Sequence, residues 1–135
     1  MYTLNFCTVP GCKKQALSTF DENGNITESS GFCLEHTKNA SDFFTKLHEY
    51  VRTHDKIVGL YAYGVSFSDI DLGNKKFYGC NFQHCTFNGV KSNALRMRMC
   101  MFDFSTLINC SLIASNIQFS SFANSNFEQV LFTES

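Results

Sequence analysis

Tryptophan is missing from this chain and proline occurs once, at Pro10. The aromatic content rests instead on 15 phenylalanines and five tyrosines, and phenylalanine offers bulk without a polar handle. A chain that leans on one such residue is expected to repeat a single kind of packing. An excess of one charge is missing too: 11 basic against 12 acidic residues leave a formal charge of -1, which removes the compositional case for a polyanion mimic or a general nucleic-acid binder. No stretch approaches the roughly 18 apolar residues of a membrane span. The opening "MYTLNFCTVPGCKK" lacks a basic start followed by an apolar run. A soluble, cytoplasmic protein with no membrane association is therefore expected. In that setting its seven cysteines read as metal ligands or buried thiols rather than a disulfide framework.

What is present divides near Gly59. The first 58 residues hold the proline, three of the four histidines and six basic against seven acidic residues. The remainder is rich in Phe, Asn, Ser and Cys, with five residues of each charge. The division is one of pattern, and it suggests a metal-binding module over 1–38, an amphipathic capping helix over 39–58 and a repeat over 59–135.

The repeat has an unusual period. Counting by fives from Phe67 to Phe132 gives 14 positions, of which 13 are large and apolar; Ser92 alone breaks the run. Neither the 3.6-residue period of a helix nor the two-residue period of a strand accounts for five. Two residues before each centre stands a second class, mostly small or β-branched, including Val65, Cys80, Cys85, Val90, Cys100, Ser105, Cys110 and Ser115. The other three positions are mainly polar.

Units such as "CNFQH", "CTFNG", "SNIQF" and "SNFEQ" resemble the pentapeptide-repeat family, over about residues 60 to 134. The resemblance implies a mainly β fold, a right-handed quadrilateral β-helix in which four units form the walls of one coil. About 14 to 15 units would give somewhat under four coils, a rod of roughly 18 Å at the usual strand spacing. Phe82, Phe102 and Phe122 should then stack, as should Phe67, Phe87, Leu107 and Phe127. Cys80 and Cys100 become vertical neighbours, expected to stay free thiols. Lys75 falls in an inward small slot, Leu95 is large for one, and a bulge or loop is expected around Ser92, because an unfilled centre leaves a costly cavity.

Upstream, Cys7, Cys12, Cys33 and His36 have the spacing C-x4-C-x20-C-x2-H. Tetrahedral Zn²⁺ takes four such ligands. Pro10-Gly11 supplies a turn that folds the first pair onto one ion, and the i, i+3 spacing lets one turn aim the second pair. The pattern is similar to small zinc-finger modules with a PGC turn and a C-x2-H pair. Four protein ligands leave no place for water, so the zinc would be structural; the alternative is a set of unrelated core cysteines. The intervening "STFDENGNITESSGF" reads as a hairpin turning at "ENGN".

Between module and repeat, Asn39 or Ser41 can cap a helix whose apolar stripe runs through Phe43, Phe44, Leu47, Tyr50, Val51, His54, Ile57 and Val58. A β-helix exposes unpaired edges at its mouth, so this helix is expected to plug the N-terminal end; it would otherwise pack only on the zinc module. His54 reads as a hydrogen-bonded core histidine.

No nucleophile and base share a motif, and the chain is expected not to be an enzyme. Imitation of DNA against topoisomerases, known in the resembling family, asks for a long acidic rod. A nucleic-acid role for the zinc module would want more cations than Lys13, Lys14 and Lys38. A protein-interaction module is the remaining reading. Its partner surface is expected at Arg96, Arg98, Met99, Met101, Phe104 and Phe119, where outward positions carry the residues favoured at interface centres. A homodimer through the C-terminal coil is a further expectation, from edges left unpaired there.

Overall fold

A computed structural model describes residues 6–29 and 31–133. From Lys56 onward the chain is a parallel β-solenoid of about four turns, built almost wholly of three-residue strands. Such short strands follow from the five-residue unit, in which three residues extend and two turn. The middle residue points inward and its neighbours outward, as the pleat requires.

Backbone pairing runs in four columns, each linking residues 20 apart. One contains β3 (Lys56–Val58), β5 (Lys76–Tyr78), β8 (Arg96–Arg98) and β11 (Asn116–Gln118). The next is a series of single bridges through Tyr61, Asn81, Met101 and Ser121. A third joins β4 (Ser66–Ser68), β6 (Thr86–Asn88), β9 (Thr106–Ile108) and β12 (Asn126–Glu128). The last joins β7 (Lys91–Asn93), β10 (Ser111–Ile113) and β13 (Leu131–Thr133), with Asp71 bridging to Lys91 beneath them.

Turning the corners has a backbone cost that the sequence reading missed. At the second residue past most centres φ is positive, at Asp69, His84, Ala94, Met99, Phe104, Asn109, Ala114, Phe119, Asn124 and Gln129 among others. Only glycine adopts that region freely, and each bulky residue there costs about 1 kcal/mol. Gly89 illustrates the crowding as well as the conformation: at φ 71 its absent Cβ would lie 2.5 Å from the Asp69 carboxylate.

Inside, the centres stack as the register demands. Phe67 and Phe87 lie 5.2 Å apart at an interplanar angle of 5°, Phe82 and Phe102 5.2 Å apart, and Phe102 and Phe122 4.6 Å apart. Burial fails only towards the last coil, where Phe127 is 44% exposed because no further coil covers it among the described residues. The Phe132 side chain lies outside the described residues. The second inward class does more than save space. Its thiols and hydroxyls donate to the carbonyl of a centre one coil below: Cys85 to Ala62 at 2.9 Å, Ser105 to Phe82 at 2.6 Å, Cys110 to Phe87 at 3.3 Å and Ser125 to Phe102 at 2.7 Å. All seven cysteines are free thiols, and burial pushes the Cys85 thiol up to about 12.

Two expectations are corrected. No bulge or loop forms at Ser92, which sits in β7 in register with Leu112 above, while the Asp71–Lys91 bridge sets Leu72 below. The coil-to-coil hydrogen bonds on either side hold the register, so the chain keeps its path and buries a hydroxyl with no hydrogen-bond partner among the described residues. The helix, expected to reach Val58, ends earlier. α1 spans Ala40–Thr53, His54 is already extended, and Ile57 and Val58 belong to β3. Ile57 stands in the five-residue register itself, two units before Phe67, and pairs with Phe77; β-branched residues there favour a strand.

The Asn39 side chain caps α1 by accepting from Asp42 N–H at 2.9 Å. Its buried residues Phe43, Leu47, Tyr50 and Val51 join the same apolar cluster as the first-coil centres. Val51 lines a void of about 20 Å³ with Phe67, Leu72, Phe77 and Phe82, so the helix closes the solenoid's first end. Lys75 explains its odd slot by serving that closure. Its ammonium donates to the His54 carbonyl at 2.9 Å and reaches the Arg52 carbonyl at 3.5 Å, satisfying acceptors that a helix end leaves orphaned. His54 is a half-buried cap that stacks on Tyr50 at 4.0 Å.

The orphan hydroxyl gives a test of the core. Ser92→Ala should raise stability by about 1 kcal/mol, because it removes an unpaired buried group, and the melting temperature by about 3 to 5 °C. A lower melting temperature would mean that the hydroxyl is bonded after all.

Candidate metal centre and exposed corner

The N-terminal module is organised by two turns. Val9, Pro10, Gly11 and Cys12 form the first, closed by Cys12 N–H to Val9 C=O at 3.0 Å with Gly11 at φ 82. Proline followed by a residue with positive φ is the type II pattern. Cys7 N–H to Lys14 C=O at 2.8 Å fixes its base. The second turn bonds His36 and Thr37 N–H to Cys33 C=O at 3.1 and 2.9 Å. Thr8 ties the two together, donating to Gly31 C=O from its backbone at 2.8 Å and its hydroxyl at 2.9 Å. Between them β1 (Ser18–Phe20) and β2 (Ile26–Ser29) make an antiparallel hairpin, and the Asp21 carboxylate accepts from Asn23 and Asn25 N–H at its tip.

Cys7, Cys12, Cys33 and His36 converge, with all four ligand atoms within 4.8 Å of one another. The Cys33 and Cys7 sulfurs lie 3.2 and 3.4 Å from His36 Nδ1, and the Cys12 and Cys33 sulfurs 3.8 Å apart. A tetrahedral zinc at its usual bond lengths sets sulfurs about 3.8 Å apart and sulfur to nitrogen about 3.5 Å. The donor set fits an ion of that kind.

Electrostatics point the same way. Burial opposes ionising Cys7, but hydrogen bonds from the Cys33 and Val9 backbone and the His36 and Cys12 side chains bring its thiol down to about 6. At Cys12 a hydrogen bond from the Lys14 backbone favours the thiolate, yet burial and the neighbouring Cys33 and Cys7 push its thiol up. Crowded thiolates resist ionising together unless a cation compensates them. A Lys14–Glu35 ion pair flanks the cluster.

The module docks on the wall of single bridges. Ser18 N–H donates to Tyr61 C=O at 3.0 Å, and Tyr61 N–H returns a bond to the Ser18 hydroxyl at 2.7 Å, covering that wall's first edge. Gln15 bonds Gln83 at 2.6 Å and also accepts from Asn81, which is buried. Tyr63, whose phenol is pushed up chiefly by burial and further by the Cys12 and Cys33 thiolates, begins an aromatic column beside the cluster. His84 lies 4.9 Å from Tyr63 and stacks on Phe104 at 5.0 Å.

The six residues expected at the partner surface fall on two adjacent corners, the wall between them and the neighbouring β8 wall. Arg96 and Arg98 point outward from β8. Met99 and Phe119 occupy one corner in successive coils, 47% and 76% exposed, and the Arg98 guanidinium lies 5.2 Å from the Phe119 ring centroid. Phe104 occupies the next corner at 53% exposure, while Met101 on the wall between is half-buried. His84 and Tyr63 were not anticipated; their spacing from Phe104 by about one and two coils was the available signal.

No family model and no curated protein matches this chain. Among the described residues no helix is long and apolar enough to cross a membrane.

The metal reading predicts one equivalent of zinc in the purified protein, and tetrahedral ligand-field bands when Co²⁺ replaces it. Cys33→Ser should lose both, and chelation should lower the melting temperature. Metal-free protein with unchanged melting would refute the site.

Proposed function

We propose that this chain is a non-enzymatic interaction or adaptor module of pentapeptide-repeat type, a right-handed quadrilateral β-helix carrying a structural Zn²⁺ on Cys7, Cys12, Cys33 and His36, and that it acts in the cytoplasm. The repeat assignment draws support from the five-residue register, the four pairing columns and the positive-φ corner between units. The zinc would fasten the hairpin and the chain ends around it, giving Gln15 and Ser18 a fixed base from which to cover the first coil.

One observation carries the partner surface. Met99, Phe104 and Phe119 place bulky apolar side chains, largely in water, at backbone positions with φ 57, 61 and 51. Asparagine or glycine would sit there with less strain. Side chains that are both strained and exposed contribute little to this fold, and strain of this kind concentrates at functional positions. With Arg98 over Phe119, the corner has the methionine, arginine and aromatic make-up of an interface centre. A second association is also favoured by particular residues: among the described residues β11, β12 and β13 are edge strands, and Phe127 and Leu131 are exposed beside them, which suits a homodimer through this coil.

Phe119→Asn separates function from folding. Its melting temperature should equal or exceed wild type, whereas capture of a partner from host extract, seen with wild type, should be lost with both Phe119→Asn and Met99→Glu. Equal capture by all three proteins would remove this surface.

A further inference from the structure

The solenoid's charges are not spread evenly over its walls. Residues 56–133 hold six cations and four acids. Asp103 lies on the wall of single bridges, Glu128 on β12, and Asp69 and Asp71 around the corner that leads to the β7 wall. The wall of β3, β5, β8 and β11 carries Lys56, Lys76, Arg96 and Arg98, all exposed, and no acid on any of its strands. Parallel pairing sets Lys56 opposite Lys76 and Lys76 opposite Arg96, so three cations stack in one column. Strands lie about 4.8 Å apart, and like charges directly opposite destabilise a sheet. Among the described residues none of the four forms an ion pair, and Asp55, just before β3, faces Lys75 at 3.9 Å.

A like-charged column that no described residue neutralises marks a surface awaiting opposite charge. We propose that this wall binds an acidic protein segment, whose carboxylates lie along Lys56, Lys76 and Arg96 while an apolar residue anchors at the Met99–Phe119 corner next to it. The proposal rests on the interaction-module reading above and specifies the chemistry of its partner. Protein is favoured over single-stranded nucleic acid by what surrounds the cations. Bases need open ring faces to stack on. Here Lys56 lies 5.6 Å from the centroid of Tyr78 and Arg98 5.2 Å from that of Phe119, so a cation already occupies one face of each ring on this side. The exposed surface then continues through Met99 and Phe104, which offer apolar contact and no hydrogen bond to a base. Complementary charge of this kind also speeds encounter and excludes basic partners.

The test uses the zinc-loaded full chain and three fluorescent probes: a peptide alternating Glu and Asp with Leu and Phe, the same peptide with every carboxylate replaced by its amide, and oligouridine. Anisotropy should show binding of the acidic peptide that weakens with salt, no binding of the amide peptide, and weakening by about tenfold or more in Lys56→Gln/Lys76→Gln/Arg96→Gln. That variant spares Arg98 and Phe119. It should melt at or above the wild-type temperature, because it removes repulsion; a fall of several degrees would assign the cations to the fold and overturn the proposal. Acidic-peptide binding unaffected by the variant, or oligouridine bound more tightly through the same cations, would also overturn it. A host partner retained by the triple variant but lost with Phe119→Asn would sink this proposal while leaving the interaction module standing; retention by both would sink the two together.

Discussion

The backbone hydrogen bond from one coil to the next is the constraint on which the rest depends. It ties residue n to residue n + 20 on every wall, and so decides in one stroke which side chains meet inside and which meet outside. Phe82 lies on Phe102 and Phe102 on Phe122 because of it. For the same reason Lys56 lies on Lys76 and Arg96. A register this rigid tolerates Ser92 in a core slot rather than slip, since slipping one wall would shift every residue downstream to the wrong face. Ordering inside and conflict outside thus share one cause.

Such a coil has an open mouth, and the N-terminal part is organised around closing it. Leu47 and Val51 fill the centre from below, Lys75 fastens the helix end, and Ser18 pairs with the backbone of Tyr61. The hairpin has few core residues of its own, and the converging Cys3His cluster brings its two flanking turns together. The cluster therefore matters to the solenoid through Gln15 and Ser18, and the aromatic column from Tyr63 to Phe104 starts where the two parts touch.

Much of this was legible in the residues. Thirteen apolar centres in fourteen positions allow few other folds, and a C-x4-C turn with proline and glycine inside it implies convergence. The places that misled are those where a local pattern competed with a longer one. Ile57 and Val58 continue the helix stripe by count, but pairing with β5 claims them for a strand. Ser92 suggests a bulge when one poor centre is taken alone, but breaking the register costs more than leaving that centre unfilled. Positive φ at the corners left a faint trace, since glycine, aspartate and asparagine recur there at Gly79, Gly89, Asp69 and Asn109 among bulkier residues. The basic wall is hidden in the sequence because its lowest member, Lys56, falls within the helix pattern of residues 39–58 but belongs to β3.

Register can be tested by paired insertions. Duplicating residues 76–95 adds one whole coil, and the account predicts a folded protein with undiminished melting temperature and increased β signal in far-ultraviolet circular dichroism. Adding a single residue after Asn109 should instead turn the following walls inside out and destroy cooperative unfolding. If the single insertion were tolerated and the whole-coil duplication unfolded the chain, stacking at twenty residues would not be what holds this protein together.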